Sequence, residues 1–165
     1  MTYYIDEIID EANNKSTPKE RVEYLKQFSN RTVLRELLRI SYDNRVKVLM
    51  PETEPPYTPS DAPRGMEDKR IDNELRRFKI LIQGGGYDNI TQVKRESVFL
   101  DILNSLYKDE AHYVQLAFRK KLRIKGLSVK HINEIFGLSI PEPEPKKKKK
   151  KEKETKETEE SNQDG

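Results

Sequence analysis

The sequence predicts an all-α fold: a single domain of about seven short helices, with a proline-rich loop and a disordered, charged C-terminal tail. Three observations predict it. Apolar residues recur on the 3.6-residue helical period in segment after segment, and only Val46, Val48 and Met50 show the two-residue alternation of a strand. Capping residues stand at the starts of those segments. Beyond Ile140 the composition collapses to proline, lysine and glutamate.

The elements follow in order. Tyr4, Ile5, Ile8, Ile9 and Ala12 form one helical stripe, which Asn13 and Asn14 end. In "STPKE", Thr17 caps, Pro18 suits the first helical position and Glu20 completes a capping box. That helix carries Val22, Leu25 and Phe28. Asn30 caps a third, with Val33, Leu34, Leu37, Leu38 and Ser41 inward. Five prolines between Pro51 and Pro63 then remove amide donors and favour extended backbone, so 51–66 reads as a surface loop inside the domain. Its "PPYTP" also has the look of a partner-binding polyproline stretch. A long helix from Glu67 carries Ile71, Leu75, Phe78 and Ile82 and stops at the glycines 84–86. A further helix spans about Thr91–Tyr107 through Phe99, Ile102, Leu103 and Leu106. Asp109 caps the next, with Tyr113, Leu116 and Ala117. Ser128 caps the last, with Ile132, Ile135 and Phe136.

Composition narrows the function. With 33% hydrophobic and 37% charged residues the chain is lean but globular, provided the charge is unevenly spread. The tail, 141–165, is neutral, so the net charge of +3 belongs to the helical domain, 1–140. No cysteine offers a disulfide or thiolate site, and His112 and His131 have no acidic cluster beside them, so no metal or other cofactor is expected. The N-terminus lacks a signal-peptide pattern, and no apolar run approaches the ~18 residues of a membrane span, so no membrane contact is expected. The triple glycine follows a helix and has no G-x-x-x-x-G-K-[ST] around it, which argues against a nucleotide loop. No carboxylate pair sits in an apolar setting and no nucleophile elbow occurs. The chain is therefore expected not to be an enzyme and to have no small-molecule substrate.

One segment stands apart. Between Glu110 and Glu134 there is no acidic residue, while Arg119, Lys120, Lys121, Arg123, Lys125 and Lys130 fall within twelve positions. They straddle Gly126, and Ser128 opens a helix just beyond. A helix N-terminus presents free amides and partial positive charge, and glycine allows close approach of another backbone. Together these make a phosphate cradle, set against the alternative of a linker with solvated lysines. The six lysines 146–151 offer a second basic element, but neighbouring acids cancel their far field.

"LAFRKKLRIKGLSVKHINEIFGLSIP" resembles the end of the N-terminal DNA-binding domain of ATP-dependent DNA ligases of large tailed phages. Leu122, Arg123 and Ile124 stand at that pattern's Leu-x-Ile, Gly126 and Ser128 at its Gly-x-Ser, and Asn133, Ile135 and Pro141 at its ending. The opening, "IDEIIDEANNKSTPKERVEYLKQFSNRTVLRELLRISYD", is similar too. Lys125 is an insertion, Lys121 replaces an aspartate, and the nucleotidyl-transfer motif K-x-D-G is absent. "YYIDEI", "LMPETEPPYTP", "GGGYDNITQVKRESVF" and "KKLRIKG" resemble more closely a family of small proteins of tailed phages of marine bacteria. The ligase resemblance implies DNA-backbone contacts from Arg119, Arg123, Lys125, Gly126 and Ser128, with Lys94 and Arg95 as a second contact; Lys120 and Lys130, from the same basic window, complete the candidate DNA-binding set.

The expected function is a non-catalytic phage protein, made in the host cytoplasm, that binds duplex DNA through its backbone without strong sequence specificity. The alternative is an interaction factor of virion assembly or host takeover, meeting a phage or host protein through the proline-rich loop and the tail.

Overall fold

A computed structural model describes residues 3–143. Among them are seven α-helices: α1 (Ile5–Asn14), α2 (Pro18–Lys26), α3 (Thr32–Tyr42), α4 (Leu75–Phe78), α5 (Gln92–Ser105), α6 (Lys108–Phe118) and α7 (Val129–Phe136). No strand forms among the described residues. Val48 and Ile82 make one isolated antiparallel bridge. The fold is all-α, and of the tail expected to be disordered over 141–165, residues 144–165 lie outside the described residues.

The local signals act where their chemistry places them. Thr17 Oγ1 accepts the Glu20 amide at 3.2 Å, and the Glu20 carboxylate accepts the Ser16 amide at 3.1 Å. Thr91 caps α5 in the same way, through the Lys94 amide. Two expected caps are not used. Arg31 and Tyr107, rather than Asn30 and Asp109, stand at the N-caps of α3 and α6.

The long helix expected from Glu67 is replaced by a 3₁₀ turn (Ile71–Glu74), the single turn α4 and a second 3₁₀ turn (Lys79–Leu81). The tighter winding turns Leu81 fully inward where a continuous α-helix would have used Ile82. Glu67 stays in the loop, where its carboxylate accepts Tyr4 Oη and the Gly65 amide, each at 2.7 Å. The glycines close this run. A Cβ on Gly85 would lie 2.1 Å from the Lys79 carbonyl oxygen, so the backbone packs there only because the side chain is missing.

In the core, α3 lies against α6 and α7, α5 against α6, and α1 and α2 close the other side. The Phe118 ring stands edge-on to Phe78 and Phe99, with centroids 5.4 and 5.6 Å away. The proline-rich loop is tied down rather than loose. Tyr57 packs on the core, and the Thr58 amide donates to Asn104 Oδ1 at 2.9 Å. At the far end of the loop Arg64 reaches α1. Its guanidinium donates to both oxygens of Asp6, at 2.9 and 3.1 Å, and lies over the Tyr4 and Tyr107 rings, which touch each other edge-on.

The first turn of α6 holds α1 through Glu110, which is buried and accepts the Ile5 amide at 2.8 Å. Burial pushes its carboxyl up to about 7, and Asp6 and Glu67 add to the shift. The folded state therefore binds this proton more tightly than the unfolded chain does. The resulting stability is fully present below about pH 4.5 and is lost as pH rises towards 7, up to about 3 kcal/mol. Glu110→Gln keeps an acceptor for Ile5 without the charge. Chemical denaturation should find this variant equal to the parent near pH 4 and more stable above pH 7. A constant difference across that range would show that the carboxyl does not titrate there.

Candidate nucleic-acid interface

The basic segment begins where α6 ends. The Lys120 amide donates to the Ala117 carbonyl at 3.0 Å and the Lys121 amide to the Leu116 carbonyl at 2.8 Å, the pairing of a Schellman cap. Lys120 occupies the left-handed position of that cap, at φ +58°, where glycine is usual. The misfit costs about 1–2 kcal/mol. Partners for its ammonium offset this: Nζ donates to the Ile40 carbonyl at 2.7 Å and the Asp43 carbonyl at 2.8 Å. Burial, helped by Arg123, Lys47 and Arg39, holds this amine below its ordinary pKa against the pull of Asp43.

From Lys121 to Ile124 the chain is an extended strap, which a turn at Lys125–Gly126 carries on to Leu127. Leu122, Ile124 and Leu127 are buried, and Arg123 and Lys125 alternate outward. Other elements satisfy its backbone. Ser41 Oγ donates to the Leu122 carbonyl, Tyr42 Oη accepts the Ile124 amide and donates to the Leu127 carbonyl, and Asn13 accepts the Lys125 amide. Gly126, at φ +72°, makes the final turn. A Cβ there would lie 3.1 Å from Arg21 Nη1, which itself donates to the Lys125 carbonyl. Ser128 then starts α7, its amide donating to His131 Nδ1 at 3.0 Å.

The expected contact residues divide in two. Arg119 donates to the Glu52 carbonyl and to Gln115. Arg123 donates to the Ser41 and Leu122 carbonyls and to Ser41 Oγ, and covers the Tyr42 ring at 4.4 Å. Lys120 joins them, so the strap neutralises the carbonyl end of α3 as cations at a helix C-terminus do. Arg95 is buried and donates to the Ile80 and Tyr87 carbonyls and to Gln92. These four cations have structural partners because buried or half-buried carbonyls stand within reach. Lys94, Lys125 and Lys130 are exposed, and their ammonium groups pair with no other described residue; Gly126 and Ser128 are exposed beside the latter two.

The fold also brings in cations that sequence reasoning did not single out. Arg39 and Lys47, from α3 and the segment after it, lie near Lys120, and Arg39 and Arg45 lie near Asp43; Arg39 is itself paired with Glu36 at 2.8 Å. Asp43 takes a bidentate pair from Arg45, whose hydrogen bonds hold its carboxyl below the usual range. The Asp43 side chain is 3% exposed and that of Arg45 64%, so the acid faces in and the guanidinium faces out. One signal was present: with Val46 and Val48 inward, Arg45 and Lys47 alternate to the opposite side.

Residues 8–124, well over half of the chain, match a family described as a family of unknown function (DUF6433). No curated protein matches the chain.

Proposed function

The chain belongs to this family of unknown function, and on that premise we propose that it is a non-catalytic protein that binds duplex DNA through the phosphate backbone. One observation carries the reading: Lys47, exposed and without an ammonium partner among the described residues, lies beside Lys120 and Arg123 where the nearby acids are already held, Asp43 turned inward by Arg45 and Glu36 paired with Arg39. Lys121 and Lys125 extend that positive face along the strap. The resemblance of 119–141 to ligase DNA-binding domains supports it, and the resemblance to small proteins of tailed phages supports an infected bacterial cell as the proposed setting. The proposed contacts are cationic side chains, which meet phosphates rather than base edges, so binding independent of sequence is proposed.

A mobility-shift titration on a ~25-bp duplex tests this. About four neutralised phosphates give a log–log salt slope near −3.6, or about a hundredfold loss of affinity between 50 and 200 mM salt. Absence of binding at ~50 mM salt, or a flat salt response, would overturn the proposal.

A second reading, a protein-interaction factor, is favoured by one cleft of about 370 Å³ between the proline-rich loop and α5. Met50, Pro55, Pro56, Phe99 and Leu100 line it, and Glu54 and Glu96 also contribute. Recovery from infected cells of a capsid or host protein, with no nuclease-sensitive material, would select this reading.

A further inference from the structure

Beside Lys120 lies a cleft of about 290 Å³ whose lining divides chemically. Val46, Val48, Met50 and Phe118 are apolar, whereas Lys47, Arg119 and Lys120 are cationic and Asn44 offers an amide. Glu52 is the carboxylate in the lining, and its backbone carbonyl is already engaged by Arg119. The walls are held in place. Val48 bridges to Ile82, the Leu49 amide donates to the Leu81 carbonyl at 2.8 Å, and the Gln83 amide donates to the Lys47 carbonyl at 2.8 Å. The Lys120 ammonium spends two of its three donors on the Ile40 and Asp43 carbonyls, which aims the group and leaves one N–H.

A phosphodiester passing over the surface would use the cations and leave the apolar wall wet. A purely apolar ligand would cover the wall and strand the charges in a drier setting. The lining suits a ligand with an anionic end and a flat, weakly polar body. The volume, at the low end of ligand clefts, limits it to one such unit. We infer that the cleft takes one unpaired nucleotide, its phosphate on Lys47 and Lys120 and its base against Val48 and Met50, with the Asn44 amide beside it. The inference rests on the duplex-DNA reading and adds to it a preference for ends and gaps, where a base can leave the stack. The same chemistry is present in a free nucleoside monophosphate.

Fluorescence anisotropy separates these cases, using a blunt 20-bp duplex, the same duplex with a one-nucleotide overhang, and AMP as competitor. The overhang should bind at least tenfold more tightly than the blunt end. Asn44→Trp, on an exposed turn, should fill the cleft, bring the overhang down to the blunt value and leave blunt binding and the melting temperature unchanged. Asn44→Phe repeats the readout with a smaller ring should the tryptophan perturb folding. Millimolar AMP that abolishes the overhang advantage identifies a site open to free nucleotides. An advantage that persists in AMP identifies one that takes only a strand-linked nucleotide. Equal binding of overhang and blunt duplex with no AMP effect overturns the inference while leaving the duplex reading standing. So does an overhang preference that survives both variants. No binding to any duplex overturns both.

Discussion

Replacing Arg64 by alanine is expected to cost about 3 kcal/mol of folding stability and to lower the melting temperature by about 10 °C. The reason is Asp6. Its side chain is 3% exposed, and both of its oxygens are held by this one guanidinium. Removing the arginine leaves a buried charge without its partner, which costs more than the pair contributes when intact. Arg64 is itself about one-third exposed, so the loss belongs at the lower end of the range for buried pairs. The guanidinium also spans the Tyr4 and Tyr107 rings, at 4.5 and 4.1 Å, and ties the proline-rich loop to α1. Urea unfolding measures the loss, and adding Asp6→Asn to the Arg64→Ala background should recover much of it. A single variant that melts within about 1 °C of the parent would show that Asp6 does not depend on Arg64.

The second large effect separates cations that bind from cations that build. Changing Lys47, Lys121 and Lys125 together to glutamate should weaken duplex binding by at least about a hundredfold at ~50 mM salt and reduce the salt slope by about three. Circular dichroism and melting temperature should stay near the parent values, because these ammonium groups have no structural partners among the described residues. Arg123→Ala should behave in the opposite way. It withdraws donors from the Ser41 and Leu122 carbonyls and uncovers Tyr42, and should cost about 2 kcal/mol in urea unfolding. If the triple variant binds DNA like the parent, this face is not the interface.

The legible parts of the fold share one property. Thr17 and Glu20 accept amides within four residues, Pro18 fits the first helical position, and the stripes of α1, α3 and α7 repeat over a few turns. Such signals survive in a linear reading because donor, acceptor and apolar face all lie within one element. The run expected to be a helix from Glu67 is the counterexample. Its apolar spacing suited an α-helix, but Glu67 was claimed by Tyr4, and 3₁₀ turns flank α4.

The candidate site divides the same way. The acid-free window around Gly126 and the helix start at Ser128 are properties of the chain. Which cations face solvent is not. Arg119, Lys120 and Arg123 look equivalent to Lys121 and Lys125 in the sequence, and differ only because carbonyls from Ile40 to Glu52 lie within reach of three of them. Those acceptors are some 67 to 82 residues away along the chain. By itself the sequence determined the helical class, most of the helix starts and the existence of a basic strap, because short-range hydrogen bonds and periodic burial decide these. Only the tertiary structure decided which charges hold α3 and which stay exposed, and it brought Arg39, Arg45 and Lys47 near Lys120 and Asp43. A guanidinium's choice between a carbonyl and water depends on which dipoles the packing of distant helices brings within 3 Å.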